Sequence, residues 1–67
     1  MIKVTFLGKN GAEIYLNPHQ IEYIQCKPDT TILMLSGKKI VVSESYEELY
    51  KRIVEYRKEI GAFKNEE

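Results

Sequence analysis

The stretch from Ser45 to Ile60 carries a helix together with its own start signal. Ser45 and Glu48 have the Ser-x-x-Glu spacing of a capping box, in which the serine oxygen accepts the backbone N–H three residues later. This spacing predicts a helix that begins at Tyr46. Apolar residues then recur every three or four positions, namely Tyr46, Leu49, Tyr50, Ile53, Val54 and Ile60. Since one side of the helix is apolar, it must lie against another layer of structure.

Five short strands are predicted ahead of the helix, because apolar and polar residues alternate between turn residues. The predicted strands are 2–6, 13–16, 21–27, 31–35 and 39–42. Between the second and third, Asn17 is expected to cap one helical turn that starts at Pro18. The expected fold is therefore α+β: a small five-stranded antiparallel β-sheet, a meander that is either flat or curled, packed by one C-terminal α-helix. The domain is expected to span 1–61, followed by a flexible C-terminal tail over 62–67.

The turns decide which strand residues face the helix. A three-residue first loop pairs Phe6 with Ile14. Two-residue turns farther on place Leu33 opposite both Ile24 and Ile40. The face assigned to the helix is then Val4, Phe6, Ile14, Leu16, Ile24, Cys26, Leu33, Ile40 and Val42.

The other face of the predicted sheet is more apolar than is usual for an antiparallel sheet in water. It carries Tyr15, Ile21, Tyr23, Ile32, Met34 and Val41. A chain of 67 residues buries only roughly 60 % of the surface of its unfolded state, so it has little interior in which to hide two apolar faces. Either the sheet curls on itself or a second subunit covers this face. We expect self-association as a homo-oligomer, and we take five residues of this face as the candidate interface: Tyr15, Tyr23, Ile32, Met34 and Val41.

Ten basic and ten acidic residues give the chain a formal net charge of zero. This balance argues against nucleic acid as a partner, because such affinity depends on neutralising phosphates with an excess of positive charge. No apolar run approaches the roughly 18 residues of a membrane span, and the chain starts with a strand pattern where a signal peptide would have an apolar core. We expect a cytoplasmic protein with no membrane span.

Candidates for catalysis or metal binding are few. His19 has no second histidine, and it is expected to be a solvated turn residue. Cys26 has no partner at a metal-binding or redox spacing, and it is expected to be a small buried side chain. Carboxylates on the helix have the i,i+4 spacing of solvated ion pairs, as Glu47 with Lys51 and Glu48 with Arg52. The sequence therefore predicts a protein that is not an enzyme, with no catalytic residue, cofactor or metal.

Short motifs follow one another closely along the chain. They are IKVT at 2–5, YLNP at 15–18, IEYI at 21–24, PDT at 28–30, SGKKIVV at 36–42, ES at 44–45 and IVEYR at 53–57. Their order and spacing resemble the FlbD family of small bacterial flagellar proteins, also called SwrD, the swarming motility family. The resemblance covers the chain from Met1 to about Ile60.

The resemblance implies a non-enzymatic accessory of flagellar motility that supports motor power during swarming. Since the family supplies no catalytic residues, the residues themselves must describe the molecular function, and they describe a surface for protein–protein interaction. The expected partners are a flagellar motor or basal-body protein and a second copy of the chain. The expected location is the cytoplasm, near the inner face of the membrane at the flagellar base. The alternative is a small DNA-binding module resembling LytTR-type domains, because several lysines stand near turns: Lys3, Lys9, Lys27, Lys38 and Lys39.

Overall fold

The computed structural model describes residues 1–64 of the chain. The strands are β1 (Ile2–Thr5), β2 (Glu13–Leu16), β3 (Ile21–Gln25), β4 (Thr30–Met34) and β5 (Lys39–Val42), and the helix is α1 (Tyr46–Lys64). A single turn of 3₁₀ helix, Pro18–Gln20, connects β2 to β3. Asn17 caps this turn as predicted, because its side chain accepts the His19 N–H at 3.0 Å. The predicted elements thus occur in the predicted order.

The strands form two antiparallel sheets, so the prediction of one five-stranded meander is wrong. β1 pairs with β2, and the second sheet has the order β3-β4-β5. A single bridge between Phe6 and Val42 connects β1 to β5. In a meander β2 would lie beside β3, whereas here the last strand returns to the first. The two sheets therefore meet edge to edge at β1 and β5.

The contact between the two sheets is short because Thr5 changes partner. Its carbonyl accepts the N–H of Ser43 at 2.9 Å, as in an antiparallel ladder. Its own N–H, however, donates to the carboxylate of Glu44 at 2.9 Å. A side chain thus takes the place of the next strand carbonyl, and regular pairing stops. On the other side of the bridge, Leu7 N–H donates to Val41 O at 3.0 Å.

The first hairpin has a longer loop than predicted. Ile14 pairs with Val4, whereas Phe6 was the predicted partner. Three residues of the loop have a positive φ, which sends the chain along a longer path than one left-handed residue would: Gly8, Asn10 and Gly11. The register differs from the prediction by two residues. A change of two keeps every side chain on its own face, so Val4 and Ile14 still point to the core.

β4, the middle strand of the second sheet, has its two faces exchanged relative to the prediction. We call β4 inverted in this sense. Ile32 pairs with both Ile24 and Ile40, and it therefore takes the core position that was assigned to Leu33. Both pairings are displaced by one residue because the turns on either side of β4 are longer than the predicted two-residue turns. A displacement of one moves a side chain to the opposite face. Leu33 consequently faces away from the core, and Ile32 has an exposed fraction of 0 %.

The core lies between the two sheets and α1. Its buried residues are Ile2, Val4, Leu16, Ile32, Ile40, Val42 and Leu49. Leu49 comes from the helix, with Ile53 and Tyr56 partly buried beside it. Tyr46 and Tyr50 are instead exposed, and their ring centres lie 6.1 Å apart. The predicted apolar side is thus correct at Leu49 and Ile53 and wrong at the two tyrosines. Tyr56 takes their place because it stands two helical turns beyond Leu49.

The helix begins where the capping signal predicted. Glu48 N–H donates to Ser45 Oγ at 3.2 Å, and Leu49 N–H donates to Ser45 O at 3.0 Å. The carboxylate of Glu48 does not reach back in a reciprocal box, because it accepts the Nε–H of Arg52 at 3.1 Å. α1 continues to Lys64, past the domain boundary expected at 61. The rest of the expected tail, 65–67, lies outside the described residues.

Removal of the cap should loosen the first turn of α1. We expect Ser45→Ala to lower the free energy of unfolding by about 1 kcal/mol, because the Glu48 N–H loses its acceptor. Amide hydrogen exchange at Glu47 and Glu48 should become faster in this variant. Ser45→Asp is the control, since aspartate also caps well and should leave exchange unchanged. Equal exchange rates in the alanine variant and the parent protein would contradict the assignment of the cap to Ser45.

Candidate interaction surface

Outward side chains of the second sheet form a patch on the side away from the core. Tyr23, Leu33 and Lys39 occupy one row across β3, β4 and β5. Val41 lies two residues farther along β5, beside Leu7, whose N–H it accepts. We call this patch the outer face, and its members are Leu7, Glu22, Tyr23, Leu33, Lys39 and Val41.

A β-bulge brings Glu22 onto the outer face. Ile21 and Tyr23 pair with consecutive residues of β4, so Glu22 is an extra residue of β3. Ile21 was predicted on the face away from the helix, and this is wrong, because the bulge turns Ile21 towards the core, where Ile24 also packs. Glu22 and Tyr23 are both exposed. Two neighbouring side chains of β3, a carboxylate and an aromatic ring, therefore lie on the same side of the sheet.

Three of the five predicted interface residues are exposed, and two are not. Tyr23 and Val41 lie on the outer face, with exposed fractions of 52 % and 37 %. Tyr15 is exposed on β2, where it pairs with Lys3 in the first sheet. Ile32 is fully buried, and Met34 packs against the core. The expectation that these five residues share one exposed face is therefore wrong at Ile32 and Met34, because β4 is inverted.

Leu7 and Leu33 complete the apolar part of the outer face, and sequence reasoning missed both. Leu33 was assigned to the core, and Leu7 was not assigned to either face. The signal for Leu33 was the length of the two turns that flank β4, since an odd number of turn residues on both sides exchanges its faces. Leu7 lies on the outer face because its N–H donates to Val41 O of β5, and the first loop leaves the sheet only after Leu7.

A half-buried ion pair closes the junction between β1, β5 and the start of α1. The carboxylate of Glu44 has an exposed fraction of 7 % and accepts Arg52 Nη1–H at 2.8 Å. It also accepts the N–H and the hydroxyl of Thr5, each at 2.9 Å. Arg52 Nη1 donates as well to Lys3 O at 2.7 Å. The cluster thus connects Lys3 and Thr5 of β1 to α1, the helix that covers the core.

The electrostatics of this cluster favour the charged forms of both partners. Burial by itself raises the pKa of Glu44, but hydrogen bonds from Thr5 N–H, Thr5 Oγ1–H and Arg52 outweigh burial, so the pKa lies below its usual 4.5. Burial likewise lowers the pKa of Arg52, and the hydrogen bond and charge of Glu44, with a further contribution from Glu48, raise it on balance. At neutral pH the cluster is therefore an ion pair of a deprotonated Glu44 and a protonated Arg52.

Sequence reasoning assigned Arg52 to a solvated pair with Glu48. That pair is present, with Arg52 Nε and Glu48 Oε2 3.1 Å apart. The contact of Arg52 with Glu44 and the contact of Glu44 with Thr5 were missed. Thr5 and Glu44 stand 39 positions apart in the chain, and no local periodicity relates them. Glu47 and Lys51, the other predicted pair, form no ion pair in the part of the chain that the structure describes.

The remaining candidate side chains lie apart from one another. His19 is exposed in the 3₁₀ turn, as predicted, and its ring meets that of Tyr56 edge-on at 5.6 Å. Cys26 is a free, exposed thiol, so its predicted burial is wrong; β3 ends at Gln25, which leaves Cys26 in the turn.

Over residues 1–64, no three or more His, Cys, Asp or Glu side chains are grouped so that they could hold a metal ion. In the same range, no helix is long and apolar enough to cross a membrane.

The fold and the outer face define a class of protein: a small sheet-and-helix domain that carries apolar side chains on the side of its second sheet away from the core. The family model of FlbD, described as flagellar and swarming motility proteins, matches residues 1–61. The chain belongs to this family, as the order of its motifs indicated. Neither a curated protein nor a solved structure matches the chain.

Proposed function

We propose that this protein is a non-enzymatic accessory of flagellar motility that supports motor power in swarming cells by protein–protein interaction through its outer face. The observation that carries the proposal is the outer face itself. It exposes Leu7, Tyr23 and Val41 on the side of the sheet opposite a core that α1 already covers. Membership in a family of flagellar and swarming motility proteins supplies the process.

The composition of the outer face supports a role in binding. An antiparallel sheet with one side packed on a core usually carries polar residues on the other side. Here Leu33 and Val41 take outward positions in β4 and β5, and Tyr23 adds an aromatic ring with a polar tip. Tyrosine is enriched in protein interfaces because its ring is largely apolar while its hydroxyl keeps a hydrogen bond. The partner is proposed to be a flagellar motor or basal-body protein, or a second copy, met in the cytoplasm near the flagellar base.

Motility should depend on the outer face. We expect Tyr23→Glu to reduce swarm expansion to that of a strain without the protein, because it removes the aromatic ring and adds a second carboxylate beside Glu22, which any contact there must strip of water. The free energy of unfolding should change by less than about 0.5 kcal/mol, since the side chain is on the surface. Swarm expansion and urea denaturation of the purified variant are the two measurements.

Tyr50→Glu is a matched control for this experiment. Tyr50 has an exposed fraction of 58 %, close to the 52 % of Tyr23, but it lies on α1. The proposal requires full swarming in the control and a loss at Tyr23. Full swarming in both variants would contradict it. A loss in both would show that the outer face has no special role.

A further inference from the structure

The outer face is divided into two chemically opposite flanks. Glu22 and Tyr23 stand on β3, Lys39 stands on β5, and Leu33 lies between them on β4. Adjacent strands are about 4.8 Å apart, so the acidic and basic flanks are separated by roughly 10 Å. Within residues 1–64, neither Glu22 nor Lys39 forms an ion pair. Lys3 and Glu13, outward residues of the first sheet, do pair with each other at 3.8 Å.

This arrangement is complementary to itself. A two-fold axis that runs parallel to β4 above Leu33 brings β5 of one copy over β3 of the other. Lys39 then faces Glu22 and Tyr23 of the second copy, and the reverse contact forms on the other side of the axis. Leu33 meets its own equivalent at the centre. Two charge pairs thus flank an apolar contact, and the lysine also lies against an aromatic ring, which attracts a cation.

We propose that the outer face binds a second copy of this chain, with Lys39 of each copy paired to Glu22 of the other. This rests on the proposed function, since the outer face is the surface that the function uses, and it names the occupant. Any partner that covers Leu33 and Tyr23 also takes water from Lys39 and Glu22, so it must offer charges of opposite sign in the right order. A second copy offers both at the required separation.

The dimer is a weak one. Three short strands give an interface smaller than the roughly 800 Å² per partner of stable complexes. Association at high concentration is therefore the property to measure, and the pairing of charges decides its specificity.

A charge exchange tests the pairing. Sedimentation equilibrium from micromolar to millimolar concentration compares the parent protein with Glu22→Lys, Lys39→Glu and the double variant. Each single variant places like charges together twice in the dimer, and we expect its dissociation constant to rise at least tenfold. The double variant restores opposite charges, so we expect its constant to return to within about threefold of the parent value. Lys58→Glu, on the exposed side of α1, is the control and should dimerise as the parent does.

Three results would overturn this dimer: a parent protein that stays monomeric up to millimolar concentration, single variants that dimerise as the parent does, or a double variant that does not recover. Circular dichroism of each variant establishes that it is folded. Swarm expansion separates this inference from the proposed function. Unchanged dimerisation in the charge variants, together with lost swarming in Tyr23→Glu, would reject the dimer and keep the function. Charge-dependent dimerisation with full swarming in all variants would keep the dimer and reject the function.

Discussion

Replacement of Leu49 by alanine is expected to lower the free energy of unfolding by roughly 2 to 5 kcal/mol. Leu49 has an exposed fraction of 0 %, and over 46–61, the part of α1 whose burial the structure describes, it is the one residue in the buried core. Its loss leaves a cavity between the helix and both sheets. Domains are stable by roughly 0.05 to 0.15 kcal/mol per residue, so this loss is a large part of the total for 67 residues. Urea denaturation followed by circular dichroism measures the change.

The neighbouring residue provides the control for Leu49. Tyr50 is more than half exposed, and Tyr50→Ala should change the free energy of unfolding by less than about 0.5 kcal/mol. Leucine and tyrosine each differ from alanine in helix propensity by less than about 0.7 kcal/mol, so a larger difference between the two variants reports on packing. Equal midpoints for the two variants would contradict the burial of Leu49 beneath the helix.

The helix and its start could be predicted from sequence because their causes are local. Ser45 and Glu48 are three residues apart, and the Leu49 to Ile53 spacing is one helical turn. The same holds for the Asn17 cap, whose acceptor and donor stand two residues apart. The existence of each strand could also be predicted from local sequence, since each strand is a short run of alternating apolar and polar residues between turn residues.

The pairing of strands could not be predicted from the same information. One additional residue in each turn beside β4 exchanged Ile32 with Leu33, and with it the two faces of that strand. Two additional residues in the first loop changed no face at all. Whether a turn has an odd or an even number of residues thus decides which face a side chain takes, and the length of the turn by itself does not. Composition alone does not fix this number when glycine and asparagine supply several left-handed positions.

The candidate site was predicted in part for the same reason. Tyr23 on β3 and Val41 on β5 were predicted on the face away from the helix, and both are on the outer face. Ile21 was predicted on the same face as Tyr23 but packs against the core, because the bulge separates the two residues. Ile32 and Met34 belong to the inverted strand β4, and both are in the core or against it. Glu22 reached the outer face through a bulge, which a strict alternation of faces does not anticipate.

The Glu44 cluster could not be predicted at all, and its removal is the second large effect that we expect. Glu44→Ala takes the acceptor away from Thr5 N–H and leaves Arg52 without its most buried partner. We expect a loss of about 3 kcal/mol in the free energy of unfolding, at the low end for a broken buried ion pair. The low end applies because Arg52 is 29 % exposed and keeps its bond to Glu48.

The contribution of Glu44 should also depend on pH, with a definite sign. Its pKa in the folded state lies below the ordinary 4.5, so folding favours the carboxylate. The stabilisation is therefore present in full above about pH 4.5 and is lost as the pH falls through the lower pKa of the folded state. Glu44→Gln keeps the shape of the side chain without the charge. Urea denaturation between pH 7 and pH 3 should show a difference between parent and glutamine variant that is large at pH 7 and shrinks at pH 3. Parallel pH profiles for the two proteins would show that the carboxylate of Glu44 does not favour the folded state through its charge.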